Sequence, residues 1–206
     1  MEIQKTVLIL AGGKSQRFLS FDKCFLTINN KPLIQHAIDK ISIVADEIIV
    51  AARNRKQGEQ IRDKTHNKVI LVFDSLKDFG PLAGFLSGLK RASFSYSLVI
   101  GCDMPFVSER VVEFLFEIAF TGGYDAVVPR WENGLVEPLH AVYRNEPMLT
   151  AIKEATKRGE VKIFDVLSQL KNVYFLPVSK IREIDPELKT FTNINTPDAL
   201  KKFFLV

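Results

Sequence analysis

The feature that most constrains the fold is an apolar run of strand length that stops at a pair of glycines. Residues Thr6–Ala11 read TVLILA and are followed at once by Gly12 and Gly13. A run that is apolar at nearly every position has no side suited to water. It therefore predicts a strand buried on both faces, which is typical of parallel sheets covered by helices. Further runs of the same kind are Glu47–Ala52, Lys68–Phe73 and Ser97–Cys102.

Segments with the apolar spacing of helices lie between and after these runs. They predict helices over Pro32–Ile43, Pro81–Ala92 and Glu109–Phe120, the last capped by Ser108. Strands that alternate with helices indicate parallel strands joined by right-handed crossovers. The predicted fold class is α/β: a three-layer αβα Rossmann-like domain with a mostly parallel central sheet and a short antiparallel edge element.

The pattern changes after Gly122. Strands are predicted over Asp125–Pro129 and Glu137–Tyr143, and the short polar turn between them favours antiparallel pairing. The remaining predicted elements are helices over Glu146–Lys157 and Lys162–Leu170, strands over Asn172–Pro177 and Phe191–Ile194, and a last helix capped by Thr196. We expect a single domain over residues 1–206.

Composition excludes several classes of function. A chain of 206 residues can bury a full core without disulfides or a structural metal. The net charge of +4 is spread over scattered lysines and arginines, so no nucleic-acid partner is expected. No apolar run approaches the roughly 20 residues that cross a bilayer, so we expect no membrane association and a cytoplasmic protein. The two cysteines, Cys24 and Cys102, match no metal or redox spacing, and Cys102 is predicted to be a core residue.

The glycine pair follows a strand and precedes a segment rich in polar residues. Backbone N–H groups in such a loop can hold phosphate oxygens, because glycine lets the backbone approach closely. The dinucleotide pattern GxGxxG is absent, and a P-loop would need a glycine at position 8, which is Leu8. From the glycines alone, a tight turn without any ligand remains the alternative.

The residues around the glycines resemble a known signature. The string LAGGKSQRFLSFDK, residues 10–23, resembles the nucleotidyltransferase pattern LAGG-x-S-x-R-[MF]-G-x-x-K. It is most similar to the molybdenum cofactor guanylyltransferases of the MobA type, which carry Asp-Lys at its end. Segments that resemble the same family follow in the same order: Asp74 with GPLAG at residues 80–84, GCDMPF at 101–106, EPLHAVY at 137–143 and NINTP at 193–197.

The resemblance implies transfer of GMP from GTP to the molybdopterin cofactor, which forms molybdopterin guanine dinucleotide and releases pyrophosphate. It implies Mg²⁺ as the cofactor, a GTP-binding N-terminal half and a molybdopterin-binding C-terminal half. Transient complexes with cofactor biosynthesis or insertion proteins are expected from the family. The implied catalytic residues are Arg17, Lys23 and Asp103, with Asp103 as the metal ligand. The implied binding residues are Leu10, Ala11, Gly12, Gly13, Lys23, Asp74, Gly80, Asn193 and Asn195.

The chemistry of these residue types agrees with those roles. Asp74 and Asp103 each follow a predicted strand, at the carboxyl edge where open α/β sheets bind ligands. A single carboxylate there suits Mg²⁺, which completes its shell with phosphates and water. The planar fork of Arg17 suits a leaving pyrophosphate. We interpret His140 as a core histidine, whereas Trp131 could stack on a pterin or be an ordinary edge aromatic.

Two departures from the family pattern leave alternatives open. Leu19 stands where the family has a glycine, and the sequence Ala51-Ala52-Arg53-Asn54 stands where it often has a base-contacting Asn. The alternatives are a molybdopterin cytidylyltransferase, a sugar-phosphate nucleotidyltransferase, and a catalytically weak nucleotide-binding partner protein.

Overall fold

The computed structural model describes residues 3–12, 22–66, 68–76 and 78–194. Several sequence predictions lie outside the described residues: those on Gly13, Arg17, Leu19 and Asn195, and the last helix capped by Thr196. Within the described residues, no helix combines the length and apolar character that a bilayer crossing requires.

The described elements alternate between strands and helices for most of the chain. The strands are β1 (Thr6–Leu10), β2 (Thr27–Ile28), β3 (Lys31–Pro32), β4 (Glu47–Ala52), β5 (Ile70–Phe73), β6 (Tyr96–Gly101), β7 (Ala126–Arg130), β8 (His140–Arg144) and β9 (Val173–Pro177). The helices are α1 (Leu33–Ile41), α2 (Arg55–Lys64), α3 (Pro81–Arg91), α4 (Glu109–Gly122), α5 (Asn145–Lys157), α6 (Ile163–Leu167) and α7 (Val178–Arg182).

A sheet that has seven strands among the described residues organises the molecule, in the order β5-β4-β1-β6-β8-β7-β9. Strands β5, β4, β1 and β6 are parallel, with Thr6 level with Glu47 and Ser97. Strand β8 runs antiparallel to both β6 and β7, and β7 is parallel to β9. The mostly parallel sheet is confirmed, but the reversed strand lies inside the sheet rather than at its edge. Residues 140–143 are all buried, as an interior strand requires.

The sheet is covered on both faces, which confirms the three layers. Along β1, Val7 and Ile9 belong to one apolar core, and Leu8 and Leu10 belong to the other. Side chains of α1, α2 and α4 pack into the first core, and those of α3, α5 and α6 pack into the second. The alternation along β1 follows from the two-residue repeat of a strand.

The predicted strand over Phe191–Ile194 is wrong. A short 3₁₀ turn covers Lys189–Phe191, and no strand follows it among the described residues. Phe191 instead packs edge-on against the buried ring of His140, with 5.1 Å between ring centroids. Ser108 does stand at the start of α4, but its side chain makes no capping hydrogen bond. Its backbone N–H donates to Thr190 Oγ1 instead.

Helices α2 and α7 and the two-stranded ribbon β2–β3 were not predicted. Helix α2 reads RKQGEQIRDK and offers only Ile61 as an aliphatic side chain for the core. It nevertheless begins at a cap, since Asn54 Oδ1 accepts the N–H of Gln57 at 3.0 Å. A polar helix of this kind lacks the apolar stripe on which sequence reasoning depends.

Candidate active site

Several of the predicted site residues that the structure describes gather at the carboxyl edge of the parallel strands. A cavity of about 200 Å³ lies at this edge and is lined in part by Leu10, Ala11, Gly12, Lys23 and Asp103. Strands β1 and β6 are hydrogen-bonded neighbours, and Cys102 N donates to Leu10 O at 3.1 Å just beyond them. The glycine segment and the segment after β6 therefore meet because their strands are adjacent in the sheet.

A lysine and an aspartate face each other across this cavity. Lys23 Nζ lies 3.8 Å from Asp103 Oδ2, and their side chains are 33% and 19% exposed. Burial raises the pKa of the Asp103 carboxyl, and the charge of Lys23 opposes that shift. The pair places a positive and a negative group where phosphate oxygens and a cation could be bound together.

Asp74 lies behind Gly12, at the end of β5. A methyl group added to Gly12 would lie 2.8 Å from Asp74 Oδ2, so only glycine fits without displacement of the carboxylate. The buried oxygen Asp74 Oδ1 has no hydrogen-bond partner among the described residues. Burial raises the pKa of Asp74 to about 6, against the influence of the Arg53 guanidinium. A buried acceptor without a partner calls for an explanation, and a hydrogen bond to a ligand N–H or O–H group would supply one.

The backbone N–H groups at the start of the glycine segment already have hydrogen-bond partners. The N–H groups of Ala11 and Gly12 both donate to Ala51 O, at 2.9 and 3.1 Å. They are therefore not free to hold a phosphate, although both residues line the cavity. A phosphate cradle would need donors from Gly13 onward, which lie outside the described residues.

Gly80 immediately precedes α3 on the same side of the molecule. Its backbone has φ 51° and ψ −133°, and the following Pro81 occupies the start of the helix as predicted. This combination of angles lies away from the conformations that residues with a Cβ adopt readily. The glycine thus allows the turn that brings Pro81 to the cavity lining.

The C-terminal segment reaches the site through Asp103. Ile194 N donates to Asp103 O at 2.8 Å, so Asn193 stands beside the contact to the predicted metal ligand. The side chain of Asn193 is exposed and donates only a long 3.4 Å bond to Phe191 O among the described contacts. Its predicted partner Asn195 lies outside the described residues.

The two aromatic residues singled out from the sequence have internal partners. His140 is fully buried, its Nε2 lies 3.0 Å from Thr190 Oγ1, and burial lowers the pKa of the ring to about 3. The core position of His140 is confirmed, but its buried Nδ1 has no hydrogen-bond partner among the described residues, so the ring is satisfied only in part. Trp131 is partly buried, donates to Glu137 Oε1 at 2.7 Å and lies 5.6 Å from the Phe191 ring.

Sequence reasoning missed a group of polar side chains that hydrogen-bond to residues lining the cavity. Gln57 is buried in the first turn of α2, and its amide contacts both Ala11 and Asp22. Asp22 also pairs with Arg53, at 2.7 Å. The sequence did contain a partial signal, because Asn54-x-x-Gln57 has the spacing of a capping box.

Asn54 follows the position at which the family pattern often has a base-contacting asparagine. Its side-chain oxygen is used as the cap of α2.

The buried thiols of Cys24 and Cys102 form no disulfide. The Cys24 thiol is hydrogen-bonded to Cys102, and with burial this raises the pKa of Cys24 far above its usual range.

Comparisons with known proteins identify the family of the chain. A probable molybdenum cofactor guanylyltransferase of Methanosarcina mazei is 40% identical over 201 residues, covering 96% of this chain and 88% of the relative. Its counterpart in Methanosarcina acetivorans is 37% identical over 202 residues, with coverage of 96% and 88%. The crystal structure of molybdopterin-guanine dinucleotide biosynthesis protein A from Archaeoglobus fulgidus is similar, with a TM-score of 0.82, 32% identity and coverage of 96% and 95%. The model of the MobA-like NTP transferase domain matches residues 7–173, and the chain belongs to that family.

Proposed function

We propose that this protein transfers GMP from GTP to the molybdopterin cofactor, forming molybdopterin guanine dinucleotide and releasing pyrophosphate. The observation that carries the proposal is the meeting of Lys23, Asp103, Asp74 and Gly12 at one edge of the parallel sheet. The names of the relatives support the choice of GTP and molybdopterin as the substrates.

The position of each residue suggests its role. Lys23 places a positive charge in the cavity, where it can offset the charge that develops on the α-phosphate. Asp74 offers an unpaired buried oxygen to a donor on the guanine or the ribose. The N-terminal strands supply most of this nucleotide site, and the C-terminal half, which begins beyond Gly122, supplies the surface for the molybdopterin acceptor.

The described residues fit a Mg²⁺ ion at Asp103. They hold no cluster of three or more His, Cys, Asp or Glu side chains able to enclose a metal. Mg²⁺ does not need such a cluster, since it is commonly held by one or two carboxylates together with substrate phosphates and water. When bound, the ion would supply charge neutralisation on the phosphates. The partly buried Asp103 carboxylate is the group that would hold it.

The reaction needs no nucleophile or base from the protein. The attacking group is the terminal phosphate of molybdopterin, which is already ionised at neutral pH. His140 is fully buried and hydrogen-bonded to Thr190, so it has no access to the reacting groups. Catalysis then consists of positioning and electrostatic stabilisation. By resemblance, Arg17 binds the leaving pyrophosphate, and transient complexes with insertion proteins pass on the labile product.

Calorimetric titration with GTP, CTP and ATP, each with Mg²⁺, tests the choice of base. A preference for GTP supports the proposal, whereas a preference for CTP would favour a cytidylyltransferase. Release of pyrophosphate on addition of molybdopterin then tests the reaction. Tight GTP binding without pyrophosphate release would instead indicate a nucleotide-binding partner protein.

Substitution of the two facing charges tests the site itself. We expect Lys23→Ala and Asp103→Ala each to lower the rate of pyrophosphate release by about 100-fold, the usual effect of removing one preorganised electrostatic group. Lys157→Ala is the matched control, because Lys157 is 71% exposed and pairs only with Glu154 on the surface of α5 among the described contacts. Wild-type rates in both site variants would contradict the assignment.

A further inference from the structure

We infer that Gln57 is a positioning residue that ties the start of the glycine segment to Asp22 and so places Lys23 in the nucleotide site. The inference rests on the proposed function for the identity of the nucleotide. We call the group formed by Gln57, Asp22 and Arg53 the loop clasp. Gln57 and Arg53 lie outside the sequence motifs, and Asp22 is the aspartate of the Asp-Lys pair that ends the glycine signature.

The side-chain amide of Gln57 is fully used. Its Nε2 donates to Ala11 O at 3.0 Å and to Asp22 Oδ2 at 2.6 Å, while its Oε1 accepts the backbone N–H of Arg53 at 2.7 Å. Gln57 is only 3% exposed. A buried amide with two donors and one acceptor satisfied holds one orientation, because any rotation leaves a polar group unpaired.

The two acceptors of this amide stand on either side of the glycine segment. The chain leaves β1 at Ala11, and the described residues resume at Asp22. One side chain from α2 thus bonds to both places. It links the residue that follows β1 to the residue that precedes Lys23.

Asp22 is held from three directions. Its Oδ2 also pairs with Arg53 Nη2 at 2.7 Å, and its Oδ1 accepts from the Cys24 thiol at 3.1 Å. The raised pKa of the Cys24 thiol keeps that donor protonated. The next residue, Lys23, begins the short 3₁₀ turn Lys23–Phe25 and extends to within 3.8 Å of Asp103. A displacement of Asp22 is therefore passed directly to Lys23.

Gln57→Glu is the sharpest test, because it keeps the size of the side chain and the acceptor for Arg53. It replaces the amide donor with a carboxylate oxygen that faces Asp22 Oδ2 and Ala11 O. We expect the affinity for Mg·GTP to fall by about tenfold or more, the usual loss when a partner that orients a ligand-binding group is removed. The charged side chains that face the new carboxylate are those of Asp22 and Arg53, and the neutral Cys24 thiol also lies against it.

The pH dependence of the loss separates positioning from a general structural effect. As the pH falls, the introduced carboxyl, whose pKa is raised by the facing carboxylate, takes up a proton and again provides a donor to Asp22. The affinity of the variant relative to wild type should therefore recover at low pH. Gln60→Glu introduces the same charge at an exposed position of the same helix and should bind Mg·GTP like wild type at every pH.

The outcomes distinguish this inference from the proposed function. Wild-type affinity for Mg·GTP in Gln57→Glu would overturn the clasp, and so would a loss that does not change with pH. Binding of Mg·GTP by wild type without pyrophosphate release would overturn the proposed function alone. If Gln57→Glu does not fold, Gln57→Met decides, because it removes both amide donors without adding a charge; a loss of affinity is expected, and no loss overturns the clasp.

Discussion

At the scale of single residues, the two carboxylates of the site differ in what surrounds them. Asp103 faces Lys23 at 3.8 Å, and the charge of Lys23 opposes the rise in pKa that burial causes. Asp74 has one buried oxygen without a partner among the described residues, and burial outweighs the influence of Arg53. Asp103 is therefore suited to hold a cation, and Asp74 is suited to accept a hydrogen bond from a nucleotide.

The environment of Asp74 predicts a pH-dependent cost to stability. Folding raises the pKa of this carboxyl from 3.8 to about 6, so the folded state binds more protons between these values. The ionised group destabilises the fold above about pH 6, and this cost disappears as the pH falls toward 4. Between pH 4 and pH 8, the free energy of unfolding of Asp74→Asn should rise relative to wild type by about 1 kcal/mol, after allowance for solvent screening of a half-buried group. Urea unfolding at several pH values measures this difference, and parallel curves for the two proteins would contradict it.

At the scale of elements, the turn into α3 depends on a backbone conformation reserved for glycine. Gly80 has φ 51° with ψ −133°, whereas Gly123, after α4, has the ordinary left-handed values of 61° and 29°. A Cβ at either position meets open space, so only the backbone distinguishes them. We expect Gly123→Ala to cost about 1 kcal/mol and Gly80→Ala about 2–3 kcal/mol. If chemical denaturation gave both variants the same loss in free energy of unfolding, the turn into α3 would have to relax around the alanine, which would contradict the prediction.

Elements were predictable from the sequence where burial alone defines them. Strand β4 matches its predicted bounds, because the five residues that follow Glu47 are all apolar and buried. Helix α2 was missed because its contacts are polar and tertiary. Gln57 bonds to Ala11 and Asp22, which are 46 and 35 residues away along the chain, and no local pattern reveals such partners. In the site, the motifs identified Lys23 and Asp103, but the hydrogen bonds by which Gln57 holds Asp22 could be found only from the fold.

At the scale of the whole molecule, the two halves of the chain share one sheet. Strand β6 pairs with β8 from Tyr96–Arg144 to Ile100–His140, which joins the nucleotide side to the C-terminal half. The fully buried Tyr143 packs edge-on against Phe85 of α3, with 5.4 Å between ring centroids. Because these contacts run through the core, we propose that residues 1–206 form a single domain whose substrate-binding halves cannot unfold separately.

This continuity predicts that nucleotide binding stabilises the entire molecule. We expect one calorimetric transition with equal calorimetric and van't Hoff enthalpies, as for a single cooperative unit. Mg·GTP at about 100 times its dissociation constant adds about 2.7 kcal/mol, which corresponds to roughly 5–10 °C for a chain of this size. That shift should move the whole transition, although the proposed nucleotide site lies mainly on the N-terminal strands. Two transitions, of which GTP moves only one, would show that the halves are independent domains and that the β6–β8 ladder does not couple them.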